Sequence, residues 1–341
     1  MSATLRVGTV EAKRGERAHG YLVVGELDQL SFARGQIRLP LIVARGKTDG
    51  PTLVLIAGQH PGEFVGMNAA IALATETDLE ALSGTVVALP MLNPYGVRRK
   101  VPYICPFDGL NMNRQWPGTH GGSVSSRTAY TVWREAISQA DFLVDLHGGD
   151  YPEYQADYAI CFETGDSHID GRSRLMAQHF GAPYIRVSPT AEGGHETGPA
   201  ARMAMQALRI PAIVTEVGDA GVMDTTRLGT NVRGLRNVLK VLGMLPGQAD
   251  PPPAGQRQMI SRTAVLARSN GLSRLAVEIG QSVAQGDLLA TIRDVTGAIA
   301  EEVVAPIAGD VVQLFYQGWM NEGEIVAKIA SIASPTQGGS E

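Results

Sequence analysis

The chain has 341 residues, enough to bury a large core, and its length predicts two domains. Its 29 basic and 34 acidic residues give a formal net charge of -5, and no cluster of Lys or Arg suggests a nucleic-acid or anionic-membrane surface. The two cysteines, Cys105 and Cys161, are too few for a disulfide framework, and no apolar run is long enough to cross a membrane. We therefore expect a cytoplasmic protein that binds neither nucleic acid nor membrane, with the oligomeric state open and a homodimer among the options.

Strand-like and helical runs alternate between residues 50 and 245. Apolar runs at 53–57, 86–89, 142–146, 158–162 and 212–215 predict strands, and the segments near 63–76, 126–139, 171–180, 198–208 and 231–243 predict helices. This alternation is typical of an α/β fold with a mainly parallel, mixed sheet that is covered by helices on both faces. Residues 1–45 contain further strand-like runs, which we place along one edge of the sheet, so the first domain is predicted to span residues 1–245.

A proline-rich linker, residues 246–256, separates this region from a segment of different texture. Residues 257–333, here called the C-terminal β module, contain short strands divided by Gly-bearing turns. The turns at 282–289 and 305–311 resemble those of a biotinyl/lipoyl-type barrel. Lys328 is the only lysine in the module and lies past those turns, so we expect a structural or oligomerisation role and not carriage on a modified lysine. Residues 334–341 are predicted to be a flexible tail.

His60 and Glu63 follow directly after the apolar run 53–57. That run has no polar alternation, which suits a strand buried on both faces, and α/β sheets bind ligands beyond the carboxyl ends of such strands. One imidazole and one carboxylate three residues apart can share a metal ion. Catalytic zinc usually takes three protein ligands and keeps one position for water, so the sequence predicts a site that needs one more ligand.

His147 is the candidate for that third ligand. It ends the apolar run 142–146 and is followed by two glycines that let the backbone turn sharply. A histidine here is by itself more often an ordinary strand-end residue. Like His60 and Glu63, however, it lies at the carboxyl end of a buried strand, and this shared position favours metal ligation. Asp145 lies two residues earlier on the same strand face, where its carboxylate can orient a ligand.

Glu216 ends another apolar strand, residues 212–215. Taken alone, it is better explained as a capping glutamate. Beside three metal ligands, however, a carboxylate can take a proton from water and return it to a leaving nitrogen. We therefore favour a general base.

The long loop between these elements contains Asn113 and Arg114. A guanidinium can bind a substrate carboxylate as a bidentate fork, and an amide can add a directional hydrogen bond. A simple turn held by Asp108 and Asn111, with Trp116 packed beneath it, explains part of this composition. We predict that Asn113 and Arg114 contact substrate.

Together these motifs resemble the succinylglutamate desuccinylase/aspartoacylase family of the zinc carboxypeptidase superfamily, over roughly residues 40 to 330. The resemblance implies one zinc per chain held by His60, Glu63 and His147, with Glu216 as general base and acid. It also implies a zinc-dependent amidohydrolase that acts on an N-acyl amino acid or related small amide, whose carboxylate Asn113 and Arg114 would bind. The motifs occur in the family's order: His60-Pro61-Gly62-Glu63, Asn93-Pro94, Asp108-Gly109-Leu110-Asn111-Met112-Asn113-Arg114, Asp145-Leu146-His147 and Thr215-Glu216-Val217-Gly218.

One departure from the family concerns the residue that polarises the scissile carbonyl. Members often carry an arginine shortly before the Asp-Gly turn, but counting back from Asp108 reaches Tyr103 here. Arg98, Arg99 or Lys100 can serve if the loop has an extra residue, and we choose Arg99.

A second polar loop, residues 190–198, borders the substrate pocket in the family. His195 and Glu196 are candidates for reading the acyl group or side chain, with a helix cap as the equal alternative. Glu153 and Asp157 give no comparable signal and are interpreted as surface or packing residues.

Two other functions stay open from the sequence. The same constellation also cleaves peptide bonds, so a carboxypeptidase-type enzyme acting on small or cell-wall-type peptides is the main alternative. A non-catalytic metal-binding scaffold is the other, although the presence of three ligands and a base argues against it.

Overall fold

The structure is a computed structural model that describes residues 4–27, 35–190, 197–315 and 318–333. Two 3-10 turns, Met112–Arg114 and Ile137–Gln139, and a π-helical turn, Ala204–Leu208, accompany the regular elements. The helices are α1 Phe64–Glu76, α2 Pro94–Arg99, α3 Val124–Glu135, α4 Ser167–Phe180, α5 Ala200–Met203 and α6 Thr225–Val241. The strands are β1 Thr4–Val7, β2 Val10–Lys13, β3 Arg17–Glu26, β4 Gln36–Arg45, β5 Thr48–Ala57, β6 Ser83–Leu89, β7 Phe142–His147, β8 Glu153–Gln155, β9 Tyr158–Glu163, β10 Tyr184–Pro189, β11 Ala212–Glu216, β12 Arg257–Leu266, β13 Gly271–Leu275, β14 Ser282–Val283, β15 Leu288–Arg293, β16 Ile299–Val304, β17 Gly309–Phe315, β18 Trp319–Met320 and β19 Ile325–Ile332.

Thirteen strands form one mixed sheet, as the sequence predicted. Neighbours run in the order β14, β17, β19, β12, β10, β9, β11, β7, β5, β6, β4 and β3, with β8 paired to β17. The central strands β6, β5, β7 and β11 are parallel, whereas β9 runs antiparallel to β11. Since β5, β7 and β11 are parallel neighbours, their carboxyl ends meet at one edge of the sheet.

Helices cover both faces of this sheet, which explains the apolar run in β5. Leu53 and Leu55 belong to the core that includes α1, α4 and α6, whereas Val54 and Ile56 belong to the core on the other face, with α3 and α5. All four side chains are fully buried. A strand covered on both faces has no position for a polar side chain, so strict alternation is lost.

The C-terminal β module adds its own small core to the same sheet. Strands β16, β15, β13 and β18 form a separate four-stranded sheet. Leu289 and Ile292 of this sheet pack with Val311 and Ile329 from the end of the large sheet. The module is joined to the first region through the parallel pair β10–β12. The α/β class with a barrel-like C-terminal part is therefore confirmed, while the division into domains stays a prediction.

Several element boundaries differ from those expected. Helices α4 and α6 begin at Ser167 and Thr225, earlier than predicted, because Asp166 and Asp224 accept hydrogen bonds from backbone N–H groups of the first turn. Strands β10 and β12 were not predicted from the sequence. Within the described ranges, the helices are too short or too polar to cross a bilayer.

Candidate active site

Three of the candidate residues lie at adjacent strand ends. His60 follows β5, while His147 and Glu216 are the last residues of β7 and β11 and are register partners. Gly62 lets the loop after β5 approach the loop after β7, because a Cβ at this position would lie 2.2 Å from Asp150 Oδ1. The Gly62 N–H donates to that same oxygen at 2.8 Å. Strand topology and one close backbone approach thus assemble the site.

The Glu63 carboxylate lies between the two histidines. Its Oε1 is 2.8 Å from His60 Nδ1, and its Oε2 is 2.9 Å from His147 Nδ1. Glu63 and His147 are buried, and His60 is nearly so, with 12% of its side chain exposed. One ligand atom from each residue lies within 4.8 Å of the others. The structure therefore brings the three predicted ligands into a group that can hold a metal ion.

The outward-facing nitrogens of both imidazoles meet oxygen atoms. His60 Nε2 is 3.2 Å from Asn111 Oδ1, and that oxygen also accepts from the Asn113 N–H, which fixes its identity. His147 Nε2 is 3.2 Å from Asp145 Oδ1. With Nε2–H of His60 donating to Asn111 Oδ1, the Nδ1 lone pair of that ring is free to bind a metal. The Nε2 of His147 also lies 3.3 Å from the amide nitrogens of Gln59 and Asn113.

Asp145 is itself oriented by a buried chain of donors. Trp116 Nε1–H donates to Gln59 Oε1 at 2.7 Å, and Gln59 Nε2–H donates to Asp145 Oδ1 at 2.7 Å. Trp116, Gln59 and Asp145 are all fully buried. The indole fixes the orientation of the Gln59 amide, so this chain holds the carboxylate that the sequence analysis expected to orient a ligand.

The electrostatics of the group reflect its close charges. Burial disfavours the charged imidazoles, but Glu63 at His60, and Glu63 together with Asp145 at His147, outweigh burial and raise the pKa of both rings. Burial would also raise the pKa of the Glu63 carboxyl, but His147 and His60 outweigh it and lower that pKa to about 2. Glu63 is consequently an anion across the physiological range, as a ligand carboxylate must be.

The donor set fits a catalytic zinc ion. Two imidazole nitrogens and one carboxylate from the same buried group match the three-ligand pattern with a position left for water. Each imidazole has an oxygen partner behind it, as metal-bound histidines usually do.

Asn113 and Arg114 lie beside this group. Asn113 Nδ2 is 3.3 Å from His147 Nε2, and its buried Oδ1 has no hydrogen-bond partner within the described structure. The Arg114 guanidinium is partly buried and donates to the Asn113 carbonyl oxygen at 3.0 Å. Burial, and then nearby Arg202, lower the pKa of Arg114. An anion arriving here would therefore relieve an unfavourable concentration of positive charge.

Glu216 lies on the strand end next to that of His147 and receives a hydrogen bond from Gln155. The Gln155 Nε2–H donates to Glu216 Oε2 at 3.0 Å. Burial raises the pKa of the Glu216 carboxyl despite the nearby His147. A carboxyl with a raised pKa is better matched to taking and returning a proton near neutral pH than an ordinary one.

Arg99 was chosen from the sequence as the residue that polarises the scissile carbonyl. Arg99 is exposed, and its guanidinium lies over the Phe107 ring, 5.3 Å from the centroid. Tyr103 lies next to the site instead, with its ring edge-on to His60 at 5.7 Å between centroids. The carbonyl-polarising role of Arg99 stays a prediction that this placement does not favour. His195 falls outside the described residues.

Sequence reasoning missed Glu153, which is only 9% exposed. Its Oε2 accepts a hydrogen bond from the Tyr103 hydroxyl at 3.0 Å. Burial, and then Glu216, raise the pKa of Glu153 to about 7. The only sequence signal was the alternation in β8, where Glu153 and Gln155 share one face and Tyr154 lies on the other.

Comparison with known proteins gives consistent matches over most of the chain. The catalytic-domain model of the succinylglutamate desuccinylase/aspartoacylase family matches residues 49–242. The N-alpha-acetyl-L-2,4-diaminobutyric acid deacetylase of Halomonas elongata is 28% identical over 334 residues, covering 95% of this chain and 94% of the relative.

Solved structures show the same relationship. The product-bound ectoine utilization protein EutE (DoeB) from Ruegeria pomeroyi is 26% identical with a TM-score of 0.84, covering 96% of this chain and 98% of that one. The succinylglutamate desuccinylase/aspartoacylase from Rhodobacter sphaeroides is 24% identical with a TM-score of 0.83, covering 97% of this chain and 100% of that one. The second likeness concerns the fold alone.

Proposed function

The chain belongs to the succinylglutamate desuccinylase/aspartoacylase family, and on that premise we propose that it is a zinc-dependent amidohydrolase that removes the acyl group from an N-acyl amino acid or a related small amide. The observation that carries this proposal is the buried group of His60, Glu63 and His147, with Glu216 on the adjacent strand end. Such a group beside a carboxylate of raised pKa is suited to hydrolysis by an activated water.

His60, Glu63 and His147 would hold the zinc ion. When bound, zinc supplies a Lewis acid that polarises a carbonyl and makes a water molecule more acidic. Glu216 accepts the proton of the attacking water and returns it to the leaving nitrogen, so that a carboxylate and a free amine depart. Arg114 and Asn113 bind the substrate carboxylate and align the amide with the metal ligands.

The deacetylase of Halomonas elongata supports N-acetyl amino acids as the first substrates to test, and among them Nα-acetyl-2,4-diaminobutyrate. Arg114, with its lowered pKa and neighbouring Arg202, supports a substrate that presents a carboxylate. The site thus offers a binding group for the substrate carboxylate, while the identity of the acyl group is to be determined by experiment.

The test joins metal analysis to an assay of amine release. We expect about one zinc per chain, in keeping with a single catalytic site, and amine release from a panel of N-acetyl, N-succinyl and N-formyl amino acids. Chelation should abolish release, and added zinc should restore it. Amine release that persists after complete metal removal would contradict zinc dependence. Cleavage of peptides without amine release from the N-acyl amino acids would favour the alternative, a peptidase.

Replacement of the base is the sharpest single variant. Glu216→Gln keeps the size of the side chain but cannot accept a proton, so kcat should fall by about 10³-fold. Its zinc content should equal that of the wild type because Glu216 is not in the ligand group. Unchanged kcat with full zinc content would exclude Glu216 as the base.

A further inference from the structure

Gln155 is in contact with the proposed base and is almost completely buried, with 1% of its surface exposed. Its amide donates to Glu216 Oε2 at 3.0 Å. A glutamate carboxylate rotates over a broad range about its last torsion angle, so a free one presents its oxygens in many directions. A donor fixed on Oε2 selects one carboxylate plane and leaves Oε1 for water.

The main chain of Gln155 is held from the side of the first region. Its N–H donates to Asp219 Oδ1 at 2.6 Å, and Arg227 Nη2 binds Asp219 Oδ2 at 2.8 Å. Arg227 Nη1 also donates to the Gln155 carbonyl oxygen at 3.4 Å. The main chain of Gln155 is thus hydrogen-bonded to both members of the partly buried Arg227–Asp219 ion pair, which limits the movement of this residue.

The C-terminal β module holds the same residue from the other side. Strand β8 pairs antiparallel with β17, so that Gln155 lies opposite Gln313 and Glu153 opposite Phe315. The Ala156 N–H continues the pairing by donating to the Val312 carbonyl oxygen at 3.0 Å. The position of Gln155 therefore depends on strands from both parts of the chain.

We propose that Gln155 is a positioning residue for the catalytic base: it acts through Glu216, and the pairing of β8 with β17 makes the C-terminal β module a part of the support. This inference rests on the proposed function for its catalytic meaning. Its structural content, that Gln155 orders the Glu216 carboxylate, can be examined without any substrate.

The test replaces Gln155 by Met, which has a similar length but no hydrogen-bond donor. We expect kcat to fall by about 10- to 100-fold, because misplacing a reacting group by a small distance has effects of this size. KM and zinc content should stay within about twofold of wild type, since neither Arg114 nor the ligand group is touched. Tyr154→Phe is the matched control on the same strand, because that side chain is 37% exposed and lies on the other face.

A double-mutant cycle separates positioning from general support of the fold. In the Glu216→Gln background, Gln155→Met should change kcat by less than about twofold, because the carboxylate through which it acts is gone. Losses that multiply in the double variant would overturn the proposal. Gln155→Leu, which also lacks the amide, replaces the Met variant if that variant does not fold.

Crystal structures of wild type and Gln155→Met provide the readout that is independent of activity. We expect Glu216 to occupy more than one rotamer in the variant, while His147 keeps a single one. An unchanged, singly ordered Glu216 would overturn the proposal even if the wild type released no amine from the panel. Absence of amine release with a disordered Glu216 would instead refute the proposed function and leave the positioning role standing.

Discussion

The two sides of the site are built in different ways. One side, here called the ligand corner, comprises His60, Glu63, His147 and Asp145. His60 and Glu63 follow β5, and Asp145 and His147 lie at the end of its parallel neighbour β7. The base corner comprises Glu216, Gln155, Glu153 and Tyr103. Glu216 ends β11, but Gln155 and Glu153 lie on β8, whose partner β17 lies far along the chain. The first corner therefore follows from strand topology, whereas the second also needs a long-range pairing.

The two corners also differ in charge compensation. In the ligand corner, Glu63 lies between two imidazoles whose pKa values it raises, so the carboxylate remains charged. In the base corner, burial and then Glu216 raise the pKa of Glu153, whereas burial and Glu63 raise the pKa of Glu216. The neighbouring imidazoles thus keep Glu63 ionised, whereas burial favours the protonated forms of Glu153 and Glu216.

The largest expected effect concerns Glu153 and stability. Its pKa rises from 4.5 to about 7 on folding, which corresponds to a cost of roughly 3 kcal/mol once the folded group is ionised. Below pH 4.5 the folded and unfolded states are both protonated and the cost is absent. It grows as pH rises to about 7 and is constant above. Glu153→Gln should therefore gain stability over wild type across that window.

Denaturant unfolding at several pH values would measure this difference. The exposed Glu302→Gln serves as a control and should show no comparable gain. A difference between Glu153→Gln and wild type that does not change with pH would show that Glu153 is not ionised at a cost, and the contrast between the two corners would fail.

The next effect concerns the substrate carboxylate. Arg114→Lys keeps the charge but loses the planar fork, so kcat/KM should fall by about 30-fold, or roughly 2 kcal/mol, mostly through KM. Steady-state kinetics would measure it. Arg233→Lys is the matched control at an exposed arginine of α6 and should change kcat/KM by less than about twofold, as expected of a surface position. An equal loss in both variants would show that the effect is not specific to Arg114.

The smallest of the three effects concerns the contribution of Asp145 to metal binding in the ligand corner. Asp145→Asn can still accept from His147 but carries no negative charge, so zinc affinity should fall by about tenfold. Competition with a chelating dye would measure the change. Asp141→Asn is the control, because Asp141 precedes the opposite end of β7 and bonds to the Thr52 N–H. Equal affinities in all three proteins would show that Asp145 does not act on the ligand.

The group of His60, Glu63 and His147 could be predicted because each residue comes after an apolar run that is typical of a buried strand. The sequence predicted both strands in a mainly parallel sheet, and their pairing as parallel neighbours in the structure brings His60, Glu63 and His147 to one edge. Asp145 followed from the two-residue period of the same strand. No long-range contact beyond the sheet order was needed.

The base corner could be predicted only in part. Glu216 ends an apolar strand, which placed it at the same sheet edge, and its role as base stays a prediction. Strand β8 has three residues and pairs with β17, so its position could not be read from the sequence. Tyr103 was noticed solely as a departure from the family. Its contact with Glu153 depends on the path of an irregular loop, which periodicity does not describe.

The sheet that crosses from β10 to β12 has a consequence for handling the protein. Cutting the chain in the proline-rich linker would remove β12 and leave β10 as an unprotected edge, with Tyr184 and Ile185 among its residues. Tyr158 would lose the Arg262 guanidinium that bonds to its hydroxyl. Such an edge invites pairing with other chains, so a shortened protein would tend to aggregate before its chemistry could be assayed.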